Sequence, residues 1–288
     1  MNKKLIGKSV VLTGATSGIG LAAVHALTSA GAFVIGVGRN QARIEHANHA
    51  ILSDLPDAQI DFVLGDLSRQ DQVKAIAHEI QLILQQKNIF QLDALIHSAG
   101  VYLEKKSITS EGIETTYAVN HLAPFLLTCE MLPLLLNADQ GRILTVSSYS
   151  HVTTPLNLNR ITDPKPYLGL LAYKRSKLCN VLFVYEINRR YPSLAAYAVD
   201  PGLVNTSIAS KGSRGISHWV WKSRRKKGTS PDVPARTILF LVEDDKVDPL
   251  EGCYIKNCEP KTPSRKAQSE ALAKILWDYS CQLTHTKW

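Results

Sequence analysis

The chain has 288 residues, 45% of them hydrophobic and 20% charged, enough to bury a full core, which excludes a disordered or fibrous protein. Its net charge of +8 is a mild excess clustered at Lys222, Arg224, Arg225, Lys226 and Lys227, and with no recognition motif beside it nucleic-acid binding is not expected. Five cysteines without a Cys-x-x-Cys pair, and histidines such as His121, His151 and His218 without ligand spacing, argue against a disulfide framework and against a metal site.

The N-terminal Met1–Lys8 segment lacks the long apolar run of a signal peptide, and the apolar stretch Phe125–Leu136 is interrupted and short of a membrane span. A cytoplasmic chain in a reducing compartment is therefore expected. Seven short apolar runs read as strands: Ser9–Ala15, Phe33–Gly38, Asp61–Leu64, Ala94–Ser98, Arg142–Val146, Ala195–Val199 and Cys253–Ile255. They are continuously apolar and separated by helix-length segments, the pattern of a doubly wound parallel sheet flanked by helices. No repeat or linker divides the chain, so residues 1–288 read as one α/β domain with a variable segment at 207–230. Ser264 is the expected N-cap of a final helix running to Leu283.

The first strand runs into Thr13-Gly14-Ala15-Thr16-Ser17-Gly18-Ile19-Gly20 and then an apolar helix. Glycines at this strand-to-helix turn allow close backbone approach, and the helix N-terminus favours a pyrophosphate. At the end of the second strand, where an acid would accept from the ribose 2′-hydroxyl of NAD, the sequence reads Val37-Gly38-Arg39-Asn40. The guanidinium of Arg39 suits a 2′-phosphate, which suggests NADP(H), a solvated arginine at a strand end being the alternative. Asp66-Leu67 ends the third strand, placing an acid either against adenine or as a helix cap.

Tyr173 and Lys177 stand four apart on a helical segment and share one face. Tyr102 and Lys106 repeat the spacing in a charged loop, but only Tyr173 follows the fifth strand and its serine-rich end, Ser147-Ser148. A phenol whose free pKa is about 10 serves as an acid/base near neutrality when a cation stabilises its anion, and Lys177 offers one.

Thr13–Gly20, Asp66, Ser98-Ala99-Gly100, Asn120, Ser147-Ser148, Tyr173 with Lys177, and Asp200-Pro201-Gly202 with Thr206 together resemble the short-chain dehydrogenase/reductase family over nearly the whole chain. Within it the chain is most similar to retinol dehydrogenase-like NADP-dependent reductases, through Ala118–Leu122, the 25 residues from Ser148 to Tyr173, and the ending Leu276–Ser280. His97-Ser98 departs from the two asparagines frequent there. The resemblance implies a Rossmann-type fold and a catalytic set of Asn120, Ser148, Tyr173 and Lys177. Ser148 would bond the substrate oxygen, Tyr173 transfer the proton, and Asn120 hold a relay water. Cofactor contacts are implied at Gly14, Thr16, Ser17, Gly18, Ile19, Gly20, Arg39, Asn40, Asp66, Leu67, Ser98, Ala99, Gly100, Tyr173, Lys177, Pro201, Gly202, Val204 and Thr206.

The function so implied is NADP-dependent interconversion of a carbonyl and an alcohol on a small hydrophobic substrate, retinoid-, steroid- or lipid-like, by a homodimer or homotetramer joined through the helices bearing Asn120 and Tyr173. Double-bond reduction, as in protochlorophyllide reductase, which the Ala172–Asn180 segment also resembles, and non-catalytic NADP sensing are the alternatives. Segment 207–230, with Trp219 and Trp221 beside its basic run, is expected to be a substrate lid, with weak membrane-surface contact or a solvated helix as competing readings.

Overall fold

The computed structural model describes residues 4–204, 228–243, 249 and 252–288. The strands are β1 (Ser9–Thr13), β2 (Phe33–Gly38), β3 (Ile60–Leu64), β4 (Ala94–His97), β5 (Arg142–Val146), β6 (Ala195–Val199), β7 (Tyr254–Lys256) and β8 (Glu259–Pro260). They form one sheet in the order β3-β2-β1-β4-β5-β6-β7-β8, parallel except for β8. β1, β2, β4, β5 and β6 are buried along their whole length, which is why their sequences show no alternation.

The helices are α1 (Gly18–Ser29), α2 (Gln41–Asp54), α3 (Gln70–Gln86), α4 (Thr115–Tyr117), α5 (Ala123–Leu136), α6 (Gly169–Arg190), α7 (Asp232–Glu243) and α8 (Glu270–Thr284). One face of the sheet is covered by α1 and α7, which pack on each other, and the other by α3, α5 and α6. The strand order runs outward in both directions from β1 and β4, so the connections leaving their carboxyl ends run in opposite directions and leave a crevice there.

Three elements differ from the sequence reading. Lys256 pairs with Glu259 across a two-residue hairpin whose Asn257 and Cys258 both have positive φ, 52° and 63°, adding β8. Ser264 caps only the 3-10 turn Arg265–Gln268, accepting from Ala267 N, while Ser269 accepts from Leu272 N and starts α8 at Glu270. Thr115–Leu136 is one continuous 22-residue helical run, longer than the apolar stretch read from sequence and, by length and composition, apolar enough to cross a membrane. In the fold 67% of its most apolar window is buried.

The long helices expected to form an oligomer interface also carry packing from within the chain. α8 lies on α6, and Trp277 and Trp288 pack their rings on Phe125 of α5, at centroid distances of 5.1 Å each.

Candidate active site

The turn after β1 is shaped by contacts that only glycine permits at two positions. Gly14 has φ +73°, and a Cβ there would lie 2.8 Å from the Ala99 backbone. A Cβ on Gly20 would lie 2.2 Å from the Gly14 carbonyl oxygen, so the start of α1 presses directly on the turn. Thr13 ties this turn to the next strand end, its hydroxyl accepting from Ala99 N at 3.2 Å. Ser17 precedes α1 in extended conformation without a side-chain cap bond, which leaves the first-turn N–H groups aimed at the crevice.

A cleft of about 300 Å³ opens on this turn. Gly14, Thr16, Ser17, Gly18, Ile19 and Gly20 form its floor, and Ser98, Ala99 and Gly100 its wall. Arg39, Asn40, Asp66 and Leu67 form its far rim, as expected from the sequence. Asn40 caps α2, its carbonyl accepting from Arg43 N at 3.0 Å, and Asp66 accepts from Ser68 N at 2.9 Å in a local turn, so Asp66 does not cap α3. The cap brings Arg43, in the first turn of α2, onto the same rim as Arg39. The cradle thus has the glycine floor and free helix N-terminus that favour a dinucleotide pyrophosphate, with Arg39 and Arg43 on its rim.

The residues expected to be catalytic adjoin this cleft through Tyr102, which lines it and packs edge-on against the Tyr173 ring. Ser147 is used structurally: its hydroxyl donates to the Lys177 carbonyl at 2.9 Å. Ser148 faces the Tyr173 phenol and favours its anion; burial and the nearby Asp200 carboxylate prevail and push the phenol up to about 12. Lys177 is 3% exposed, donates to the Val146 carbonyl at 2.7 Å, and lies 5.6 Å from the Tyr173 ring centroid. Burial pushes its pKa down to about 8, so it keeps its charge at neutral pH.

Asn120, expected to hold a relay water, has its side chain bonded within the protein. It sits in a π-turn, Ala118–Leu122, between α4 and α5 and is fully buried. Its carbonyl accepts from Val101 N at 2.8 Å, and its amide donates to Val101 O at 3.0 Å and to Ser176 Oγ at 2.9 Å. Both amide hydrogens are therefore taken by protein, one by the serine hydroxyl that itself donates to the Tyr173 carbonyl at 2.8 Å. The side chain braces α6 against the chain after β4.

His97, the departure from the family pattern, points away from the cleft and bonds Thr128 of α5 at 2.9 Å, leaving Ser98 on the cleft wall. Pro201, Gly202 and Val204 follow β6 at the carboxyl end of the sheet, with Gly202 N donating to Asp200 at 3.0 Å and Val204 bridged to Thr229, but they do not line the cleft around Gly14. Thr206, and the proposed lid apart from residues 228–230, lie outside the described residues. Arg43, Val101, Thr115 and Val119 line the cleft and were missed; for Arg43 the signal was the Asn40 cap, which fixes where α2 begins.

Fold and site together define an oxidoreductase built on a dinucleotide-binding sheet. The chain belongs to the short-chain dehydrogenase family, whose model matches residues 8–216. It is 32% identical to retinol dehydrogenase 12 of Mus musculus, an alignment covering 100% of this chain and 89% of that protein. Among solved structures it is similar to an uncharacterised protein from Mycobacterium paratuberculosis, with TM-score 0.75 and 27% identity over 98% of this chain and 95% of the other. It also resembles a short-chain dehydrogenase from Shigella flexneri in complex with NADP, with TM-score 0.66 and 20% identity over 90% of this chain and 100% of that one.

Proposed function

We propose that the protein is an NADP(H)-dependent reductase or dehydrogenase that interconverts a carbonyl and an alcohol on a small hydrophobic substrate. The observation that carries this reading is the convergence of Ser148, Tyr173 and Lys177 beside a dinucleotide cradle whose rim bears Arg39 and Arg43. Two guanidinium groups on that rim, with no acid directly after β2, suit a 2′-phosphate, and the Shigella flexneri relative in fold carries NADP. When bound, NADPH supplies the hydride. In reduction, the Tyr173 phenol gives its proton to the substrate oxygen, Ser148 donates a hydrogen bond to that oxygen, and the Lys177 cation stabilises the phenolate left behind. Tyr149, Leu168 and Leu203 flank the catalytic segments and are 67%, 61% and 43% exposed, offering apolar area to a hydrophobic substrate. The name of the mouse relative points the same way, towards retinoids.

The test is a turnover screen of aldehydes, ketones and alcohols, all-trans-retinal and retinol included, with NADPH, NADP+, NADH and NAD+. Carbonyl reduction with NADPH supports the reading. NADPH binding without turnover of any substrate overturns it in favour of a sensor, and preference for NADH overturns the cofactor assignment.

A further inference from the structure

β5 ends at Val146, and the chain turns at Ser148, whose side chain accepts from Ser150 N at 3.2 Å and caps the 3-10 turn Tyr149–His151. The place of the Ser148 hydroxyl therefore depends on the shape of this turn. A single 3-10 turn is weak by itself; its own backbone bond runs from His151 N to Ser148 O at 3.2 Å. The His151 ring adds a second bond to the same carbonyl, with Nδ1 at 2.8 Å. At the ring's other edge, Nε2 meets the backbone N–H of Ser264 at 3.3 Å.

Both partners are main-chain groups whose roles cannot change: a carbonyl only accepts and an N–H only donates. Nδ1 must carry the hydrogen and Nε2 must be bare, so the ring is held in one neutral tautomer. His151 is 1% exposed and lies 5.0 Å, centroid to centroid, from the Tyr254 ring of β7. Asp200, at the end of β6, is the charged group that acts on it.

We infer that His151 is a positioning residue for the catalytic serine: its Nδ1–H clamps the Ser148 carbonyl, and its Nε2 anchors the turn to the chain at Ser264. The inference rests on the role given to Ser148 above. His151 acts only through that serine, so its effect disappears when the serine hydroxyl is removed.

The experiment is a double-mutant cycle of Ser148→Ala with His151→Phe. It uses NADPH and whichever of 4-nitrobenzaldehyde, decanal and all-trans-retinal the wild type reduces fastest. His151→Phe is expected to lower kcat about tenfold, the effect of one well-placed hydrogen bond, with NADPH affinity unchanged. In the Ser148→Ala background it should add nothing. His151→Asn, whose amide can stand where Nδ1–H stands, should restore kcat to within about threefold of wild type, whereas His151→Gln should not. Wild-type kcat in His151→Phe, or equal losses in both backgrounds, overturns the inference. If His151→Phe fails to fold, equal kcat in the Asn and Gln variants overturns it. Wild-type turnover in Ser148→Ala rejects the reading of the site itself, and 15N NMR then decides on His151: Nδ1–H with bare Nε2 is expected, and a ring protonated at Nε2 overturns the clamp.

Discussion

The rings of Tyr102 and Tyr173 meet edge to face, with centroids 6.1 Å apart and planes at 73°. Tyr102 is 7% exposed and lines the dinucleotide cleft, so one aromatic side chain joins the cradle to the Tyr173 phenol. Lys106, which shares the four-residue spacing with Tyr102, is instead ion-paired with Asp163. Tyr102→Phe keeps the ring and should change kcat by less than about threefold, while Tyr102→Ala loses an edge contact of about 0.5–1.5 kcal/mol and should lower kcat by up to about tenfold. Steady-state kinetics check both; an equal loss in Tyr102→Phe would move the effect from the ring to the hydroxyl.

Tyr173→Phe should lower kcat by about a hundred- to ten-thousandfold, the usual weight of a positioned proton donor, and leave NADPH affinity unchanged because the glycine floor is untouched. Lys177→Ala should lower kcat as well, since it removes the cation beside the phenol. Fluorescence titration of NADPH alongside turnover separates binding from chemistry; undiminished turnover in Tyr173→Phe would refute the assignment.

Arg39→Asp replaces a cation on the cleft rim with a repulsive charge and should weaken NADPH binding relative to NADH by about ten- to hundredfold. Arg43→Ala should weaken NADPH binding in the same direction by a smaller factor, because Arg43 shares that rim. Dissociation constants for both dinucleotides provide the check, and an unchanged ratio in Arg39→Asp would remove Arg39 from the phosphate site.

His97 and His121 are 2% and 1% exposed, and burial pushes both down to about 3. The folded protein keeps them neutral where the unfolded chain takes up protons, so stability is retained above about pH 6.5 and falls as the pH drops towards 3. Each histidine costs about 1.4 kcal/mol per pH unit in that window, or about 3 kcal/mol for the pair at pH 5.5. Urea unfolding at pH 7.5 and 5.5 measures this, and His97→Gln should reduce the dependence by about one proton. A pH-independent midpoint would show that these rings do not control acid stability.

The parts of the fold legible in the sequence are those where one residue type is obligatory. Gly14 and Gly20 are excluded from being anything larger by backbone contacts, and Tyr173 and Lys177 meet because a helix brings positions four apart together. The choice between Ser147 and Ser148 rests on resemblance, and what sequence does not show is that the Ser147 hydroxyl is tied to the Lys177 carbonyl. What escaped was set by tertiary context. Ser264 and Ser269 are both capping serines, and the 3-10 turn between them, with Ala267 fully buried, decides where α8 begins. The Asn257-Cys258 hairpin lacks the glycine that marks such turns, so β8 was invisible.

The π-turn at Ala118–Leu122 reads as an α-helix carrying one surplus residue. Excising that residue would regularise the backbone, yet it would swing everything on one side of the cut by about 100° and carry the Asn120 amide away from Val101 or Ser176. Helical regularity and the junction of three chain segments are mutually exclusive at this point. A single-residue deletion here should therefore be a separation-of-function change: a chain with an unbroken helix and an uncoupled α6.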